Sequence, residues 1–189
     1  DNWSNQYIAT GYFKEDEKTT SNGDTLTVKS AERFALSAKA AYKLMDDGKK
    51  LFVLGTYVDD KFGAYTTYST MAIGHAWGWD TTRDRRIDLE VGPGYFSGTR
   101  ATGEEESGFT VRGAAAVSWR LSPAAVFANS VIVERGTSNV HSVAEASLAT
   151  KINDTMQMKA AFAARNDTNV PANKKNTDTQ TSITLVYSF

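Results

Sequence analysis

The feature that most constrains this chain is a two-residue alternation of apolar and polar side chains, sustained over stretches longer than an ordinary strand. Phe34, Leu36, Ala38, Ala40, Tyr42 and Leu44 oppose Arg33, Ala35, Ser37, Lys39, Ala41 and Lys43. Val111, Gly113, Ala115, Val117, Trp119 and Leu121 oppose Thr110, Arg112, Ala114, Ala116, Ser118 and Arg120. The same pattern sets Ile87, Leu89, Val91, Pro93 and Tyr95 against Asp88, Glu90, Gly92, Gly94 and Phe96, and Met158, Ala160, Phe162 and Ala164 against Gln157, Lys159, Ala161, Ala163 and Arg165. Successive side chains of an extended chain point to opposite faces, so each stretch predicts a strand with one greasy and one wet side. Runs of about ten to thirteen residues exceed the usual soluble strand of about five or six and match the length that crosses a bilayer at a tilt.

No segment approaches the roughly 18 consecutive apolar residues of a transmembrane helix, whereas a membrane-spanning β-barrel needs only alternation. Proline is scarce, at 3 residues, which suits long uninterrupted strands. A chain of 189 residues fits one domain, taken as 1–189. The formal charge of -1, from 21 basic and 22 acidic residues, gives no electrostatic case for a nucleic-acid partner. Without cysteine there is no disulfide, thiolate metal site or cysteine nucleophile. No charged-then-apolar leader opens the chain, so an exported protein would be present here in mature or trimmed form.

The final residues place Ile183, Leu185, Tyr187 and Phe189 on one face and Ser182, Thr184, Val186 and Ser188 on the other. A closing strand ending on an aromatic resembles the signal read by the barrel-assembly machinery of bacterial outer membranes, here Leu185, Tyr187 and Phe189. The last strand of a soluble sandwich is the alternative for this segment. Short connections at 46–49, 122–123 and 153–155, with a somewhat longer one at 80–86, alternate with longer polar segments at 14–30, 59–64, 99–108, 134–139 and 166–180. That alternation predicts an all-β, antiparallel, up-and-down transmembrane barrel, its termini on the short-turn side. About ten strands are expected, near 4–14, 31–45, 50–58, 64–79, 86–98, 109–121, 124–135, 139–152, 156–166 and 178–189. Both faces of 51–58 and of 126–133 carry apolar residues, and their orientation stays open. Trp77, Trp79, Trp119, Tyr42, Tyr187 and Phe189 suit an aromatic girdle at the short-turn ends, and Phe13, Tyr65, Phe109 and Tyr95 one toward the long loops.

The order of these segments resembles the family of salt-induced outer-membrane proteins, a domain of unknown function. The resemblance runs through Tyr7 to Phe13, Ser30 to Leu44, Leu51 to Gly63, the strand from Asp88 to Tyr95 and the closing strand, with Val91-Gly92-Pro93-Gly94 its most specific element. Members of that family begin with a further hairpin carrying a Gly-Asn-Thr turn. The resemblance therefore implies that this chain starts at their third strand and that a complete barrel would have about twelve strands.

Facing inward we expect Arg33, Lys39, Asp88, Glu90, Arg112, Arg120, Glu145, Lys159 and Arg165. Charges of both signs on neighbouring strands read first as a paired, hydrated filling of a small barrel, and second as the wall of a narrow passage. Gly92-Pro93-Gly94 within a strand predicts a bulge or kink in the wall. Glu104-Glu105-Glu106 reads as a solvated loop before it reads as a divalent-cation site, and Lys174-Lys175 suits lipopolysaccharide phosphates. For catalysis the two histidines are His75, expected at the interface near Trp77 and Trp79, and His141, near the outer rim. Period-two geometry puts Ser142 on the face opposite His141, and no serine elbow or metal spacing is present. The leading expectation is thus a non-enzymatic outer-membrane barrel without cofactor or metal. It would act as a structural component or a partner in an envelope assembly, in contact with membrane lipid and lipopolysaccharide. A narrow porin-like channel for ions or small solutes is the second reading, and an embedded hydrolase using His141 the third.

Overall fold

The computed structural model describes residues 2–19, 25–44, 48–153, 156–170 and 175–187, with the side chains of residues 18, 186 and 187 set aside. The described residues form ten strands and no helix: β1 (Trp3–Thr19), β2 (Thr25–Lys43), β3 (Lys49–Asp60), β4 (Tyr65–Thr82), β5 (Arg85–Arg100), β6 (Glu105–Ser122), β7 (Ala125–Arg135), β8 (Val140–Lys151), β9 (Met156–Asp167) and β10 (Thr177–Tyr187). They make one sheet in sequence order, every neighbouring pair antiparallel. This is the up-and-down architecture the alternation predicts.

Direct cross-strand partners share a face, so the register carries the inside-outside assignment from strand to strand. Pairing of Leu36 with Tyr57 and of Tyr42 with Leu51 turns Leu51, Val53 and Tyr57 outward, where all three are exposed. Phe52, Leu54 and Val58 then point inward and are buried. The same reasoning settles β7, where Val131 and Val133 lie outside opposite Ala115 and Gly113. Composition could not decide either strand, because both faces are apolar; the ladder decides.

The sheet curls until its inner face meets itself. Lys39 of β2 pairs with Glu90 of β5, and the Tyr68 ring of β4 lies 6.2 Å from that of His141 on β8, four strands away. Inside, Ala41, Phe52, Leu54 and Ala72 form a small apolar cluster. Most large hydrophobics are outside instead, with Phe109 at 82%, Ile183 at 76% and Met71 at 67% exposure. Among the described residues β1 is hydrogen-bonded only to β2 and β10 only to β9, which leaves the curled sheet open between them.

Three expectations need correction. The segments 14–30, 99–108 and 166–180 are not mainly loops: β1 and β2 continue to Thr19 and from Thr25, with a register shift between Lys14 and Glu15, and β5 and β6 run to Arg100 and from Glu105. Backbone pairing needs no apolar side chains, so polarity marks where the greasy face ends rather than where the ladder ends. Tyr65 belongs to no outer girdle, because the register shift between Tyr65 and Thr67 turns it inward, where it is 5% exposed. Gly92-Pro93-Gly94 holds no bulge, since the register is the same at Ala72 with Gly94 and at His75 with Val91. The wall is instead pinched there, and a methyl group on Gly92 would overlap the carbonyl oxygen of Ile73, one on Gly74 that of Val91.

The other aromatics cluster as expected. At the short-turn end Trp3 packs on Tyr42 at 5.0 Å, Arg85 lies over Trp119 at 4.5 Å, and the exposed His75 stacks on Trp77 at 5.8 Å. Toward the other end Tyr95 meets Phe109 edge-on at 5.6 Å. Phe189, Lys174 and the turn residues Asp46, Asp47, Asp154 and Thr155 lie outside the described residues.

Candidate functional site: the charged interior

Strand parity alone brings most of the expected inward charges together, and the fold supplies partners that strand counting missed. Arg112 is 8% exposed and donates from Nη1 to Glu134 Oε1 at 2.9 Å, the two standing directly opposite on β6 and β7. Its Nε has no hydrogen-bond partner. Lys39 reaches across the interior to Glu90, and Lys159 donates to Glu145 at 3.0 Å between β9 and β8. Arg33 Nε lies 3.5 Å from Asp60 Oδ2, and Arg165 Nη1 donates to Gln180 at 3.1 Å. Asp88 is taken by its near neighbour Arg86 at 2.9 Å. Arg120 does not join them; it stands exposed beside the register shift between Arg120 and Ser122.

Cavities lie toward both ends of this interior. One of about 530 Å³ lies toward the short-turn end, with Gln6, Lys39, Lys50, Arg86, Asp88 and Glu90 in its wall. One of about 150 Å³ lies toward the opposite rim and takes Arg33, Asp60, Tyr68, His141, Arg165 and Asp167 from five strands. Along β3, β4 and β6, the residues between the two linings are Phe52 to Val58, Ala72 to Gly74, and Arg112 to Ala114. Phe52, Leu54, Val58, Ala72 and Arg112 are all buried, so packed side chains separate the two spaces. An ion pair in such a setting is retained only if its hydrogen bonds replace the water both partners gave up.

The rim above is tied by Glu106. It accepts from Tyr65 Oη at 2.7 Å, from Arg100 Nε at 2.8 Å and from the Ser138 hydroxyl, joining β4, β5, β6 and the loop after β7. Of the Glu104-Glu105-Glu106 run, therefore, the last carboxylate is a cross-strand clamp. Nearby, His141 Nδ1 lies 3.0 Å from Asp167 Oδ1, which also accepts from Asn139 Nδ2 at 2.8 Å. A carboxylate on Nδ1 fixes the ring and its tautomer, an arrangement that suits acid-base work. Its sequence neighbour Ser142 pairs with Val133 and Asn166 on the outer face, as alternation required. Among the described residues no group of three or more His, Cys, Asp or Glu is placed to hold a metal ion.

Asp60, Glu106, Glu134, Asp167 and Tyr68 were absent from the inward set read from sequence. Asp60, Glu106 and Asp167 lie just beyond strand ends expected at 58, 109 and 166, where the alternation continued by one to three residues reaches them, and Glu134 lies on β7, whose face was open; Tyr68 lies inside the strand expected at 64–79, on the inward side of its alternation. Of the closing-strand signal, Leu185 is exposed on the outer face opposite Met158, and Tyr187 pairs through its backbone with Met156.

An antiparallel up-and-down sheet, apolar outside and curled around a charged interior, defines a barrel-type β protein. The chain belongs to the family described as "Protein of unknown function, DUF481", whose model matches residues 1–189. Comparison with curated proteins finds no match.

Proposed function

We propose that this protein is a bacterial outer-membrane β-barrel that serves, without catalysis, as a structural component or as a partner in an envelope assembly. The observation that carries this reading is the inverted burial: paired charges and a small apolar cluster inside, large exposed apolar side chains outside. From Phe109 to Trp119 the outward face of β6 is apolar, and that length at a usual strand tilt spans ~25 Å, the height of a barrel's lipid-facing band. Membrane lipid covers the band, lipopolysaccharide meets the rim that carries Lys61 and Lys175, and the closing strand with Leu185, Tyr187 and Phe189 addresses the assembly machinery. Induction by salt belongs to the same proposal, through the resemblance.

Closure belongs to it too. Unpaired backbone groups cannot face hydrocarbon, at several kcal/mol each. A hairpin preceding Trp3 would pair β1 on one side and β10 on the other, giving about twelve strands.

The test is fractionation of cells expressing the protein, with heat-modifiable migration as the sign of a folded barrel. Recovery in the outer-membrane fraction is expected; a stable, detergent-free monomer in plain buffer would end the reading. One observation favours a channel as the second reading, the cavity of about 530 Å³ with charges of both signs. Planar-bilayer recording separates the two. The structural role predicts no steady single-channel steps, and steps abolished by Glu90→Gln or Arg112→Gln would replace it with the channel.

A further inference from the structure

The smaller cavity holds an imbalance of hydrogen-bonding capacity. Its acidic groups are engaged: Glu106 by Tyr65, Arg100 and Ser138, Glu134 by Arg112, and Asp167 by His141 and Asn139. Two guanidiniums of its wall are engaged only in part among the described residues. Arg33 has the 3.5 Å approach to Asp60, and Arg165 has one bond, to the amide oxygen of Gln180. A guanidinium carries five N–H donors in a planar fork that matches a carboxylate two bonds at a time. Among the described residues neither arginine has a carboxylate engaged by two bonds, although both line the same cavity.

Like charges sharing one cavity repel unless an anion answers them. Asp60 and Asp178 are the carboxylates of the wall left to answer them; Asp178 stands opposite Arg165 in the β9–β10 ladder. Aromatic rings stand in the same lining among polar and glycine residues, with Tyr68 and Phe96 at 5.9 Å from one another and Phe62 and Phe109 besides. A volume of about 150 Å³ accommodates a molecule the size of benzene.

From this we infer that the rim cavity is a binding site for a small organic carboxylate, its charged end between Arg33 and Arg165 and its apolar body against Tyr68 and Phe96. The site goes beyond the structural role proposed above and does not depend on it, since it is built from the wall whatever surrounds the barrel. Its place at the long-loop rim makes it a receptor for a solute arriving from that side.

The probe is benzoate, titrated calorimetrically into the full chain purified in detergent, with sodium chloride held at equal ionic strength as the reference. Three comparison ligands sort the chemistry: acetate lacks the apolar body, inorganic phosphate lacks it and is tetrahedral, and benzamidinium reverses the charge. Saturable benzoate binding is expected, tighter than acetate or phosphate by about tenfold, with no benzamidinium binding. Arg33→Gln and Arg165→Gln are each expected to weaken it at least tenfold while heat-modifiable migration stays unchanged. Should either glutamine variant lose that migration, Arg165→Lys keeps the charge, removes the fork, and is expected to weaken binding all the same. Failure of benzoate to bind, binding indifferent to both arginines, or preference for phosphate or benzamidinium would each overturn the assignment. Because binding is read in detergent, it can fail while outer-membrane recovery succeeds, and the reverse.

Discussion

At Gly74 and Gly92 the backbones of β4 and β5 run so close that neither residue tolerates a methyl group, whereas a methyl on Gly113 meets nothing within 4 Å. Gly92→Ala and Gly74→Ala are therefore expected to destabilise the barrel by about 1–3 kcal/mol, and Gly113→Ala to leave it unchanged. Urea unfolding followed by heat-modifiable migration measures the contrast. Arg112 supplies a second case. Buried at 8% exposure with Glu134 as its acceptor, it is stranded by Glu134→Ala, with an expected loss of about 3 kcal/mol. Replacing both residues by methionine is expected to restore much of that stability, since an apolar pair leaves no charge unsatisfied. If the double variant is as weak as the single one, the pair does more than neutralise itself.

Individual strands were legible where one face is polar, as in β2, β5, β6 and β9, because alternation then names the inside directly. It was not legible in β3 and β7, where Phe52, Leu54 and Ile132 face inward as greasily as Val53 and Val131 face out. Only the neighbouring ladders break that tie. Strand ends were lost for a different reason: above the apolar band Thr, Lys and Glu continue the pairing, so Asp60, Glu106 and Asp167 looked like loop residues. Tyr65 departs from the strict alternation because Thr66 has no partner in the ladder, its hydroxyl donating to the Thr99 carbonyl at 3.2 Å. Deleting Thr66 keeps Tyr65 on the inward side and is expected to cost under about 1 kcal/mol, the net worth of that bond. Tyr65→Phe, by contrast, removes a bond to the charged Glu106 and is expected to cost about 1.5 kcal/mol. Denaturant midpoints of the two variants, compared with the parent, check both.

At the scale of the whole molecule, two ion pairs of the interior are held away from solvent. Arg112 with Glu134 and Lys39 with Glu90 are mostly buried, and mobile ions screen such pairs weakly. Raising potassium chloride from about 0.1 to about 1 M is expected to move the unfolding free energy by less than about 1 kcal/mol. A larger loss would mean that solvent reaches the interior freely. The gap flanked by β1 and β10 has a consequence for size. Barrel diameter grows with the number of staves, and ten are set by this stretch of chain. On the closure proposed above, strands added at that seam would set the bore, and would widen or narrow it without altering a single residue of the charged lining.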